Sequence, residues 1–363
     1  MSMQRQIGTR WRVVACACAL LGAGTASVAR AAGVRSVDEH RPADPHGQVE
    51  ITNVSGRIEV EGWDKPEVEV SGTLGPDVER LDIDSSGSRT SVRVVPSDSR
   101  HWGIRLHESG DAMLTVHVPQ GSDLSASLVN SDIRVHDLQG DQELQTVSGE
   151  VKSVAARDVR VHTVSGDVHL SAGRDSGQVE IGTVSGDIDL DGGQGEISIN
   201  TVSGSSKLVL GTLTRAHFKS VSGDYEIVAG LTPDGHIEAE SVSGDFQIDF
   251  VDKLPPAEFD LQSFSGDLKT CFGQKGEHER HGPGSRLSYR EGAGTARVRI
   301  DTNSGDVTLC SKRVSGADSR EPDALTRLLQ QGLEFAGVKS SAPRYRPVLS
   351  RPANCRACVI VES

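Results

Sequence analysis

One short unit keeps returning along this chain, and it constrains the fold more than any other feature. It reads Thr146-Val147-Ser148-Gly149-Glu150-Val151, then Thr163-Val164-Ser165-Gly166-Asp167-Val168, then Thr183-Val184-Ser185-Gly186-Asp187-Ile188. Further copies begin at Thr201, Ser220, Ser241, Ser263 and Thr302, and degenerate copies occur at Val54-Ser55-Gly56 and Val129-Asn130-Ser131-Asp132. From Gly149 the repeat glycines fall at 166, 186, 204, 223, 244 and 266, giving spacings of 17, 20, 18, 19, 21 and 22. A period of that size marks a supersecondary unit that buries its apolar face only by stacking on its neighbours.

The residues inside one period decide the architecture. The unit 183–200, TVSGDIDLDGGQGEISIN, has no 3.6-residue apolar pattern but alternates at Ile188 and Leu190 and again at Ile197 and Ile199, which reads as two short strands. Propeller blades need about 40 residues and four strands, and leucine-rich repeats need a Leu and Asn framework that is missing. The expectation is an all-β chain: a parallel β-solenoid of about 19–20-residue coils, with an irregular β N-terminal cap and a short C-terminal helix. Forty glycines and only 4% aromatics suit such thin coils. Val184, Ile188, Leu190, Ile197 and Ile199 are expected to point inward, Gly186 to mark a sharp corner, and Ser185 and Asp187 to bond nearby amides.

The flanks differ from the repeats. Arg5, Arg10 and Arg12 precede the apolar run from Val13 to Ala23, and Ala29-Arg30-Ala31 follows, so 1–31 reads as a secretory signal peptide. The lipoprotein alternative, Val13-Val14-Ala15-Cys16, leaves few apolar residues ahead of the cysteine. Removal of 1–31 takes away four arginines and no acids, moving the formal charge from -13 to -17. So acidic a chain repels phosphate backbones, which excludes nucleic acid as a partner. No later stretch is long and apolar enough to cross a bilayer as a helix. Residues 32–125 are expected to form the irregular β cap with Trp63 and Trp102 in its core, 126–314 the solenoid, 315–338 a capping helix and 339–363 a disordered tail.

The recurring Thr/Ser-Val-Ser-Gly-Asp-Val/Ile unit, as in TVSGDVHL, TVSGDIDL and SVSGDFQI, resembles the bacterial putative-adhesin family of exported repeat proteins over Val49 to Cys310. That resemblance implies a β-solenoid at the cell envelope, periplasmic, surface-attached or secreted, and brings no catalytic residues with it.

The repeat supplies the candidate sites. Asp167, Asp187, Asp224, Asp245 and Asp267 recur at one coil position, so stacked copies would lie about 5 Å apart. Carboxylates at that distance suit a retaining glycosidase, but catalysis needs one acid and one base in unlike surroundings, and a repeat makes their surroundings alike. Turn-holding bonds to backbone amides are the expected role, with bridging calcium as the alternative and no other cofactor. Thr146, Thr163, Thr183 and Thr201 beside Ser148, Ser165, Ser185 and Ser203 would make a flat hydroxyl face like that of an ice-binding solenoid. His278-Glu279-Arg280-His281 lacks zinc-protease spacing, and Cys355 with Cys358 cannot alone complete a four-ligand zinc site.

Cys271 and Cys310 each lie five residues past a repeat glycine, Gly266 and Gly305. If 273–293 is a polar insertion within one coil, the two cysteines occupy equivalent positions in adjacent coils, about 4.8 Å apart, within the window for a disulfide. The function expected is noncatalytic binding or scaffolding of a surface polymer, an envelope protein or a second copy. The alternatives are a polysaccharide-acting enzyme and, more remotely, an ice-binding protein.

Overall fold

The computed structural model describes residues 34–97, 111–173, 176–251, 253–274, 276–278 and 284–312. The expected signal peptide, Trp102, the expected C-terminal helix and tail, and Cys355 and Cys358 lie outside them. The described residues are strands and turns with no helix, and they form a β-solenoid.

A central coil contains two strands, such as Gln178–Ser185 and Ile188–Gly192, separated by a Gly-Asp corner. Each stacks in parallel on its counterparts: Ile181 is level with Val161 and Ile199, and Leu190 with Leu170 and Leu208. All six are buried. Each such side chain contributes about 1.5 to 3 kcal/mol, so aliphatic ladders alone can hold the stack.

Period-2 alternation sets the phase. Val179, Ile181 and Thr183 point inward, so Val184 points out and is 46% exposed. This corrects the inward placement expected for Val184; the corner at 185–187 resets the alternation so that Ile188 is again inside. Trp63, expected in the cap core, is only half-buried and stacks on His117 at the surface.

The corner glycines are required by close approach. A Cβ on Gly186 would lie 2.3 Å from the carbonyl oxygen of Gly166, and one on Gly305 would lie 2.1 Å from that of Gly244. Glycine therefore sits over glycine, and each corner backbone packs directly on the one below.

Order in space departs from order in sequence at both ends. The Gln48–Trp63 strand, inside the stretch expected to be an irregular cap, is a regular coil paired in parallel with Asp123–Leu138 on one side and with Arg89–Pro96 and Ala112–Pro119 on the other. The outer edge is closed by antiparallel strands, Val78–Ser86 on Arg89–Pro96, and Glu67–Leu74 then Arg35–Pro42 beyond Ala112–Pro119.

The other end mirrors this. Ala296–Ser304 and Val307–Lys312, the last strands among the described residues, slot between Tyr225–Ser243 with Phe246–Val251 below and Ala257–Ser263 with Leu268–Thr270 above. The stretch expected to be a polar insertion instead contributes Ser285–Arg290, which covers Ala257–Ser263 in antiparallel fashion. Antiparallel covers close the parallel edges of Arg89–Pro96, Ala112–Pro119 and Ala257–Ser263, which would otherwise template aggregation.

The core also changes along the stack. Past Leu213 it takes in Phe218, Tyr225, Phe246, Phe250 and Phe259, with Tyr225 stacked on Phe246 at 5.1 Å. Tyr225 donates its hydroxyl to the Lys219 carbonyl at 2.8 Å, and burial raises its pKa.

Candidate binding face

The outward residues of the repeat form two parallel rows. Val147, Val164, Val184, Val202, Val221 and Val242 are each 43% to 53% exposed, flanked by the serines of the same turns. Strand register extends this row through Val129 to Val54 at one end and through Asn303 to Phe264 at the other. The nine coil-to-coil steps span about 43 Å at ~4.8 Å each. An unbroken row of half-exposed β-branched side chains is unusual on a surface otherwise rich in charge.

The row ends in a groove of about 640 Å³. Val242, Asn303 and Phe264 line it, with Lys219, Gln262 and Arg286. Asn303 takes the valine position in the inserted coil and so leaves a polar gap between Val242 and Phe264.

The threonines do not share this face. Thr146, Thr163, Thr183 and Thr201 are buried, and Thr146 and Thr201 donate to the carbonyls of Ser148 and Ser203, at 3.2 and 3.3 Å. Only the serine row is outside, so the flat Thr-x-Ser array expected for an ice-binding surface is absent. Threonine belongs inside because its position is in phase with Ile181; at Thr146 and Thr201 the hydroxyl holds the turn that follows, while the buried hydroxyls of Thr163 and Thr183 make no hydrogen bond.

The aspartates form a third row. Asp167 accepts the backbone N–H of Asp187 at 3.0 Å, Asp187 that of Ser205 at 2.8 Å, and Asp224 that of Asp245 at 2.9 Å. Asp245 then accepts from Asp306, and Asp306 from Asp267, at 2.7 and 2.9 Å. The chain of bonds follows the spatial order of the coils and passes through the inserted one. Asp306 also takes the Lys269 ammonium at 2.8 Å; the Asp267 N–H and this ammonium together hold its carboxyl below the usual carboxylate range.

Cys271 and Cys310 are joined by a disulfide, with Cα atoms 4.9 Å apart. Cys271 donates its N–H to the Leu309 carbonyl at 3.0 Å. The bond therefore ties the inserted coil to the coil at the tip. His278 lies in the short Glu277–His278 strand, paired with Ser285, while Glu279, Arg280 and His281 lie outside the described residues.

The exposed valines escaped sequence reasoning, although alternation counted outward from Ile181 would have found them. Among the described residues no helix is long and apolar enough to cross a membrane.

Residues 48–310 match the family described as Toastrack DUF4097. No curated protein matches the sequence. A solved structure described as a putative adhesin from Bacteroides fragilis shares 12% identity, covering 77% of this chain and 97% of its own, with a TM-score of 0.30. One described as a putative lipid binding protein from Parabacteroides distasonis shares 14%, over 78% and 97%, with a TM-score of 0.30. A putative cell adhesion protein from Clostridium sporogenes shares 9%, over 77% and 100%, with a TM-score of 0.20. Likenesses this loose say nothing of what this chain binds.

Proposed function

The chain belongs to the Toastrack DUF4097 family, and from that premise and the rows just described we propose that it is an exported, noncatalytic envelope or surface protein that binds or scaffolds through the repetitive face of its stack. The observation that carries this reading is the valine row. It sets eight valines, from Val54 to Val242, at a fixed ~4.8 Å spacing beside a row of serine hydroxyls, which suits an extended partner whose own groups repeat. A surface polymer, the extended edge of an envelope protein and a second copy of the chain all have that property.

Two observations favour a noncatalytic role. Asp167, Asp187, Asp224 and Asp245 each spend one carboxylate oxygen on the backbone N–H of the next coil, which is a structural use. The surroundings of these four are alike, whereas acid and base catalysts need environments that separate their pKa values. Export is supported by the arginine-led apolar leader in the sequence and by a disulfide, a bond that persists in oxidising compartments.

The test uses the mature protein on a glycan array and in sedimentation velocity, beside a variant carrying Val147→Asp, Val184→Asp and Val221→Asp, which lie in alternate coils so that no two new charges are stacked directly. The expected result is glycan binding or self-association that the variant loses while its melting curve stays unchanged. Neither activity in the parent protein, or binding that survives all three substitutions, would overturn the reading.

A further inference from the structure

At the N-terminal end, five strands bring their outward side chains into one line. By register the order is His40, Glu69, His117, Glu61 and His136, so imidazole and carboxylate alternate across the sheet. His117 lies between two acids, its Nε2 3.3 Å from Glu61 and its Nδ1 4.0 Å from Glu69, and its ring stacks on Trp63 with centroids 5.0 Å apart. That Nδ1 is buried and has no hydrogen-bond partner.

Beside His136 the carboxylates crowd further. Its Nδ1 is 2.9 Å from Asp137, and its Nε2 is 3.8 Å from Glu59. Donor atoms of Glu61, His136 and Asp137 all lie within 4.8 Å of one another. Adjacent strand residues normally face opposite ways, but the register shifts between Val135 and Leu138, and Asp137 takes a left-handed φ of 58°. This irregularity returns Asp137 to the side of His136. Arg134 is level with Glu59, and among the described residues the ion-pair contacts of Glu61 and Asp137 are with His117 and His136 rather than with a lysine or arginine.

We propose that Glu61, His136 and Asp137 bind a divalent transition-metal ion of zinc-like softness, with His117 as the neighbouring nitrogen donor. One imidazole nitrogen and two carboxylate oxygens form a mixed set that suits zinc, whereas calcium and magnesium take oxygen alone. Tetrahedral zinc with bonds of about 2.0 to 2.1 Å needs donors about 3.3 Å apart, so the half-exposed side chains close inward by rotation. A cation there also relieves the repulsion between carboxylates gathered around one ring. This site is separate from the valine row and does not depend on the reading given to it.

Zinc is titrated calorimetrically into the untagged mature protein and into His136→Gln, Asp137→Asn and His117→Gln variants, each checked for an unchanged melting curve without metal. One zinc ion is expected per chain, with affinity falling about tenfold to a hundredfold in His136→Gln and Asp137→Asn. Absence of zinc binding, or an affinity that these two variants leave unchanged, would overturn the proposal. The His117→Gln variant should weaken zinc less than His136→Gln does; equal or greater loss would move the site to the middle of the row and refute the assignment.

Discussion

The coils between Gln142 and Val209 and those between His236 and Lys312 carry the same turn signature yet are built differently. In the first region neighbours in sequence are neighbours in space, each coil returning after 17 to 20 residues over a core of valine, isoleucine and leucine. In the second, the coil ending at Ser304 lies between the coils ending at Ser243 and Ser263, the core includes phenylalanine, and a disulfide fastens the tip. A shared corner motif therefore specifies that a coil stacks, and leaves open on which coil it stacks. The glycine and aspartate contacts are made equally well in either order, since Gly305 over Gly244 repeats the fit of Gly186 over Gly166.

The largest effect concerns the phase of the regular coils. Ile181→Asp buries an unpaired charge in a fully enclosed ladder and should cost more than about 4 kcal/mol, whereas Val184→Asp, three residues on, should stay within about 0.5 kcal/mol. Urea unfolding of both variants measures this, and equal losses would break the assignment of the valine row to the surface.

Next comes the fastening of the tip. Replacing Cys271 and Cys310 by serine opens a bond across 39 residues of sequence separation and should cost about 2 to 4 kcal/mol. The comparison is sharpened by hydrogen exchange: protection should fall at 257–312 and hold at 142–209. A uniform loss would mean that the two regions unfold as one.

The smallest effect is an acid sensitivity confined to the inserted coil. The pKa of Asp306 is depressed in the folded state, so its contribution is fully present above the unfolded value of about 4 and is lost as pH falls through the folded one. Between pH 5 and pH 2 the C-terminal coils of the parent protein should lose more protection than those of an Asp306→Asn variant. Identical acid profiles would remove this term.

What could be read from the sequence follows the range of the interactions. The period, the two strands per coil and the pairing of Cys271 with Cys310 rest on spacing within or between repeat copies, and the structure has the coils and the bond. The facing of Val184 was misjudged because the corner interrupts alternation, so counting back from Ile188 across Ser185, Gly186 and Asp187 lands on the wrong side. The exchange of coil order was invisible because Ser263 and Thr302 open nearly identical units. The row from His40 to His136 was equally hidden, since its members come from separate strands that meet only after the end of the stack has formed.

A stack whose order matched its sequence would come apart like a coiled rope, each end pulling free one turn at a time. Here the first parallel coil strand, Gln48–Trp63, and the late strand Ala296–Ser304 are both held on two sides, by Arg89–Pro96 and Asp123–Leu138 at one end and by Tyr225–Ser243 and Ala257–Ser263 at the other. Pulling either of these coils out of the stack must therefore slide a strand from between two others, breaking both ladders of hydrogen bonds together, whereas Arg35–Pro42 on the outer edge has a single ladder, to Glu67–Leu74. The tip strands Val78–Ser86 and Ser285–Arg290 can loosen, but each has strands of the stack before and after it in sequence and cannot trail away. For a protein proposed to work outside the cell, where proteases and shear act without repair, these two coils are placed where neither can easily begin.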